Sequence, residues 1–147
     1  TQIRSSAASD VYKRQGRLGM VIDGTGRDYD KINGQVAQLK QLGYDCYMIF
    51  VNTSLDVALE RNRRRERTVP EYITKQSWTK VQSNIGKFQS LFGMDSMIIV
   101  DNSKDDRELT TVTMGKVDKA VRKLLRNKVK SYTAKRWMAS ERKARRR

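Results

Sequence analysis

The sequence predicts an α/β fold, a parallel sheet with flanking helices, and three observations carry that expectation. Leu18–Ile22, Cys46–Val51 and Met97–Val100 are short, continuous apolar runs, the pattern of strands covered on both faces. Each is followed by apolar residues spaced three and four apart, the period of a helix. Continuous strands alternating with helices imply parallel pairing.

The elements follow in order. Leu18–Ile22 (LGMVI) reads as a buried strand that ends at Asp23 and the turn Gly24-Thr25-Gly26. Tyr29, Ile32, Val36, Leu39 and Leu42 then form one helical face, with Gly43 where a C-cap belongs. Cys46–Val51 is the second strand, and Asn52-Thr53-Ser54 offers an N-cap to a helix carrying Leu55, Ala58 and Leu59. That helix runs into an arginine cluster. Thr68-Val69-Pro70-Glu71 next has capping-box form and opens a helix carrying Ile73, Trp78, Val81, Ile85, Phe88 and Phe92, closed by Gly93. Met97–Val100 is the third strand. Val117, Val121, Leu124 and Val129 mark a last helix that fades into a basic tail.

The chain has 147 residues, enough for one ordinary domain. No apolar run reaches the ~18 residues of a membrane span, so no membrane partner is expected. One cysteine, Cys46, lies in an apolar run and reads as a structural thiol, and with no histidine a zinc site is close to excluded. An intracellular, reducing compartment, the cytoplasm, fits this usage. The net charge of +15 divides unevenly: Val121–Arg147 holds twelve basic residues against Glu141 alone, and Gly16–Ala120 nets only +2. The basicity belongs to the tail.

Ser5–Gln15 reads SSAASDVYKRQ, which resembles the translation of a transposase sequencing adapter. Residues 1–15 are therefore expected to be non-native. The division that follows is a domain over 16–126 and a basic tail over 127–147.

In a parallel sheet, ligands bind beyond the carboxyl ends of the strands. Three segments fall there: Asp23–Arg27, Asn52–Ser54 and Asp101–Ser103. Glycines let the backbone of Asp23-Gly24-Thr25-Gly26-Arg27 approach a ligand, Asp23 can accept from a hydroxyl or metal-bound water, and Arg27 can meet a phosphate. An Asp-Gly turn is also often only a turn. The cluster Arg61-Asn62-Arg63-Arg64-Arg65-Glu66-Arg67 contains five arginines and no lysine. It reads either as a solvated helix face or as a mobile phosphate-binding segment, since guanidinium forks suit bidentate phosphate contacts.

The stretch from Met20 to Arg67, with Asp23-Gly24-Thr25-Gly26-Arg27, then Gly43-Tyr44, then the arginine segment, resembles the zeta-toxin-like P-loop kinases. The resemblance covers about Leu18 to Val100. It implies a partial P-loop NTPase/kinase fold and an ATP-dependent phosphotransferase acting on a hydroxyl of a small molecule or nucleotide, with ATP and Mg²⁺ as cofactors. Asp23 and Thr25, with Arg27, would bind the acceptor. Arg67 and Arg63 would act on the transferred phosphoryl group, with Arg61 and Arg64 on ATP phosphates. Asn102, by position alone, would border the adenine.

The chain departs from that family in two ways. Asp23 stands where the family usually has Glu, so the sugar-nucleotide acceptor of the toxins is not carried over. No GxxxxGK[ST] occurs anywhere, so ATP and Mg²⁺ would bind mainly through a segment this sequence lacks, as would the catalytic base. The strand before that loop lies mid-sheet in the kinase fold, so a fragment without it would expose strand edges and part of its core. The tail, with Lys135-Arg136-Trp137-Met138 and Glu141–Arg147, reads either as a nucleic-acid contact or as a disordered or frayed solvating tail with Trp137 docking back. Two alternatives to the kinase stand beside it: a polynucleotide kinase, and a non-catalytic basic nucleic-acid-binding protein.

Overall fold

A computed structural model describes residues 18–104 and 107–146; the stretch read as adapter-derived lies outside the described residues. Helix α1 (Tyr29–Gln41) is capped by Asp28, whose carboxylate accepts from Lys31 N–H at 3.1 Å. It ends at Leu42, and Gly43 follows with φ 97°, the left-handed conformation that favours glycine after a helix. Strand β1 (Met48–Asn52) leads into α2 (Leu55–Arg63), and α3 (Glu71–Phe92) stops at Gly93 with φ 80°. A 3₁₀ turn, Met94–Ser96, precedes β2 (Met97–Asp101); then come α4 (Arg107–Leu125) and α5 (Tyr132–Ala144).

The two strands pair in parallel, Met48 with Met97 through Asn52 with Asp101. They end level, so the loops that follow them emerge side by side. α3 covers one face: Phe88, with no solvent exposure, packs its ring 6.4 Å from that of Phe50 and 5.4 Å from that of Tyr29. α4 packs along β2. Val36, Leu39, Phe50, Leu59, Phe88 and Val100 are the buried apolar residues among those described.

Coverage of the sheet is incomplete. In-register partners on parallel strands share a face, yet Phe50 is buried while its partner Ile99 is 46% exposed, and Val100 is buried while Val51 is 57% exposed. The continuous apolar runs predicted strands covered on both faces; each face is covered over one strand only.

Three further expectations change. Leu18–Ile22 is not a strand: among the described residues no strand pairs with it, and Val21 is 97% exposed. An apolar run becomes a strand only where a neighbour supplies the ladder. The capping box at Thr68 does not form either. α3 starts two residues later than that box would set it, and Pro70 at the N-cap position has no side-chain acceptor to offer. Finally, the tail is no frayed continuation. A separate helix, α5, begins at Ser131, whose hydroxyl accepts from Ala134 N–H at 3.3 Å.

Candidate functional site

α3 holds two of the three segments expected at the strand ends, and the third is attached through the end of β1. Asn84, only 3% exposed, donates its amide to the carbonyl oxygens of Gly26 and Arg27, both at 3.0 Å. Gly26 has φ 70° and sits with Phe50 and Phe88 ring atoms 3.7 and 3.9 Å from where a Cβ would be. The turn is therefore held from the backbone side, and Asp23, Thr25 and Arg27 are exposed. Thr25 Oγ1 accepts from Arg27 N–H at 3.4 Å, and the Arg27 guanidinium donates to Ser77 Oγ at 3.3 Å.

The same helix grips the end of β1. Trp78 Nε1–H donates to the Thr53 carbonyl at 2.7 Å, and Gln82 Nε2 donates to Asn52 Oδ1 at 2.7 Å. Asn52 in turn holds β2: its carbonyl accepts from Asn102 N–H at 2.8 Å. Ser103 Oγ accepts from the Ser54 N–H at 2.9 Å. Hydrogen bonds from Ser103, first its side chain and then its backbone N–H at 3.0 Å, hold the Asp101 carboxyl below the usual carboxylate range. α3 thus holds Asp23–Arg27 and Asn52–Ser54, and the end of β1 in turn holds Asp101–Ser103, with Asn102 at the β2 side of the group.

The arginine segment is fastened to α2 at its base. Asn62, 6% exposed, donates to the Val69 carbonyl at 2.6 Å and accepts from Val69 N–H at 3.0 Å. Arg63 pairs with Glu71 at 2.6 Å, and Arg64 pairs with Glu60 one turn earlier. Both pairs are exposed and contribute at most about 1 kcal/mol each. Arg61 is half-buried and Arg67 exposed. Glu71 and Ser77 are six residues apart on α3, about 9 Å along its axis, so the Arg27 side chain reaches toward the arginine segment while the backbone of its turn is held by Asn84 farther along the helix.

Asn62 and Asn84 were not singled out by motif. Their one signal was an asparagine inside a helical pattern, where its propensity is poor and its amide competes for backbone groups.

The residues present fit a nucleotide cofactor only in part. Arginines can contact phosphates, but the lysine and hydroxyl of a phosphate-binding loop are absent from the sequence. Among the described residues no group of acidic, cysteine or histidine side chains could hold a metal ion. No described helix is long and apolar enough to cross a membrane.

The family model described as Zeta toxin matches residues 7–112, well over half of the chain. No curated protein and no solved structure gives a significant match. The parallel two-stranded sheet with its flanking helices is accordingly part of a P-loop kinase fold, and the chain belongs to the Zeta toxin family.

Proposed function

We propose that this chain is the acceptor-binding and arginine-bearing part of an ATP-dependent phosphotransferase that modifies a hydroxyl of a small molecule or nucleotide. The observation that carries the reading is the convergence on α3: Asn84 and Ser77 position the Asp23–Arg27 turn, and Glu71 meets the arginine segment. In this reading ATP supplies the phosphoryl group and, with Mg²⁺, is bound by a phosphate loop outside this sequence. Asp23 accepts a hydrogen bond from the acceptor hydroxyl, and Thr25 and Arg27 fix the rest of the acceptor. Arg67 and Arg63 stabilise negative charge where it develops, which is most of what such catalysis requires. Arg61 and Arg64 add contacts to the nucleotide phosphates, with Asn102 beside the base. Arg63 must exchange Glu71 for phosphate, a step the exposed pair makes easy.

The test is transfer of labelled γ-phosphate from ATP to a panel of nucleotide and small-molecule hydroxyls, made on a gene product that includes a phosphate loop. Asp23→Ala and Arg67→Ala should each lower kcat/KM by about a hundredfold, with ATP affinity least changed in Asp23→Ala. Undiminished transfer in both would refute the assignment.

A further inference from the structure

The tail carries most of the charge, and the structure gives it a fixed shape. Lys130 N–H donates to the Asp45 carboxylate at 2.9 Å. Gly43 lies so close to α5 that a Cβ there would stand 2.9 Å from Ala134 N. Ala134, Met138 and Glu141 are half-buried, whereas Lys135, Arg136, Trp137, Arg142 and Lys143 are exposed. On the exposed side Tyr132, Arg136, Trp137 and Ser140 line an open groove of about 310 Å³. The Arg136 guanidinium lies 5.8 Å from the Tyr132 ring centroid.

We propose that this face of α5 binds single-stranded nucleic acid, independently of any phosphotransfer. Lys135, Arg136, Arg142 and Lys143 follow the phosphates, and a base stacks on the rings of Tyr132 and Trp137. Four points favour this occupant. From Asn127 onward nine basic residues face one acidic residue, a charge complementary to a phosphate backbone. Surface aromatics interleaved with arginine are the stacking platform that unpaired bases use, and a duplex keeps its base faces hidden. The groove is open and at the small end for an enclosed ligand, which suits one base of a strand. An anionic membrane would need a free apolar helix face, but Ala134 packs beside Gly43 and Met138 is half-buried.

Fluorescence anisotropy of the complete chain with a labelled single-stranded 20-mer tests this. With four phosphates neutralised, affinity should fall roughly fiftyfold between 50 and 200 mM salt. Changing Lys135, Arg136, Arg142 and Lys143 to Gln should flatten that dependence. Tyr132→Ala with Trp137→Ala should weaken binding by about tenfold at every salt without changing the slope. Tyr132→Phe with Trp137→Phe, which keeps both rings, should bind within about twofold of the wild type; circular dichroism of each variant checks that α5 remains helical. Equal binding by the ring-free variant, tighter binding of a duplex 20-mer, or capture by phosphatidylserine vesicles with no oligonucleotide binding would each overturn the proposal.

Discussion

Asn84 reaches from the middle of α3 to the carbonyl oxygens of Gly26 and Arg27, two bonds of 3.0 Å from one buried amide. These link residues nearly sixty positions apart and satisfy carbonyls in a turn that makes no ladder. Replacing Asn84 by Leu keeps the branched shape of the side chain but leaves both carbonyls without this partner, at a cost of about 1–3 kcal/mol of local stability. Amide exchange across Gly24–Asp28 should quicken by roughly five- to a hundredfold, while exchange at the far end of α1 stays unchanged. Equal protection in the variant would show that the apolar contacts of Gly26 hold the turn alone.

Asn62 should govern how accessible the arginine segment is. Asn62→Ala removes both bonds to Val69, and trypsin should then cut at Arg64, Arg65 and Arg67 about tenfold faster, for about 1.4 kcal/mol of lost closure. Asn62→Asp keeps the acceptor for Val69 N–H and loses the donor, so its rate should fall between the two. Glu71→Gln weakens only an exposed pair and should change the rate by no more than a few fold.

Cys46 should be a slow thiol. Partial burial pushes its pKa up; Lys40 pulls it down, and Asp45 adds to the rise. The thiolate is the reactive form, so alkylation at pH 8 should be slower than for a free cysteine and still climbing above pH 9. Lys40→Ala removes the one opposing charge and should slow it further. Because the folded pKa lies above the unfolded one, the same group favours folding below the unfolded pKa. That contribution is lost as pH rises through the folded value.

Incomplete coverage of the sheet predicts weak cooperativity. Ile49, Val51 and Ile99 are 43–57% exposed on strands, and few apolar residues are fully buried. Calorimetry of the chain should give a broad transition with a van't Hoff enthalpy below the calorimetric one, and a dye that reports exposed apolar surface should bind before heating. A sharp two-state melt would contradict this.

Local signals in the sequence marked the helices well. Gly43 and Gly93 stop α1 and α3, and Ser54 stands at the N-cap position of α2. Those features depend on neighbours in the chain. What failed depended on distant ones. Leu18–Ile22 has the composition of a strand but no paired strand beside it among the described residues, and α3 takes Pro70 rather than Thr68 at its N-cap position. α5 hid in a charge run because Lys, Arg, Ala and Glu are good helix formers and Ser131 supplies the cap. At the candidate site, the turn and the arginine cluster were legible as motifs. The asparagines that fasten them were not, because a buried amide's partner is set by packing.

The Asn62–Val69 clasp also sets a tether length. With the Asn62 side chain joined to the Val69 backbone, seven steps of chain must leave and return to nearly one point, so an extended span of about 24 Å folds into a reach of at most about 12 Å. Arg65 and Glu66 are the residues farthest along the chain from the clasp, Arg64 and Arg67 come next, and Arg63 and Thr68 are the feet. An anion held by Arg63 must rest close to the clasp, whereas one met by Arg65 can lie an arm's length away. The clasp thus sorts the arginines by radius, and lengthening the arc by inserted residues would move the apex without moving the feet.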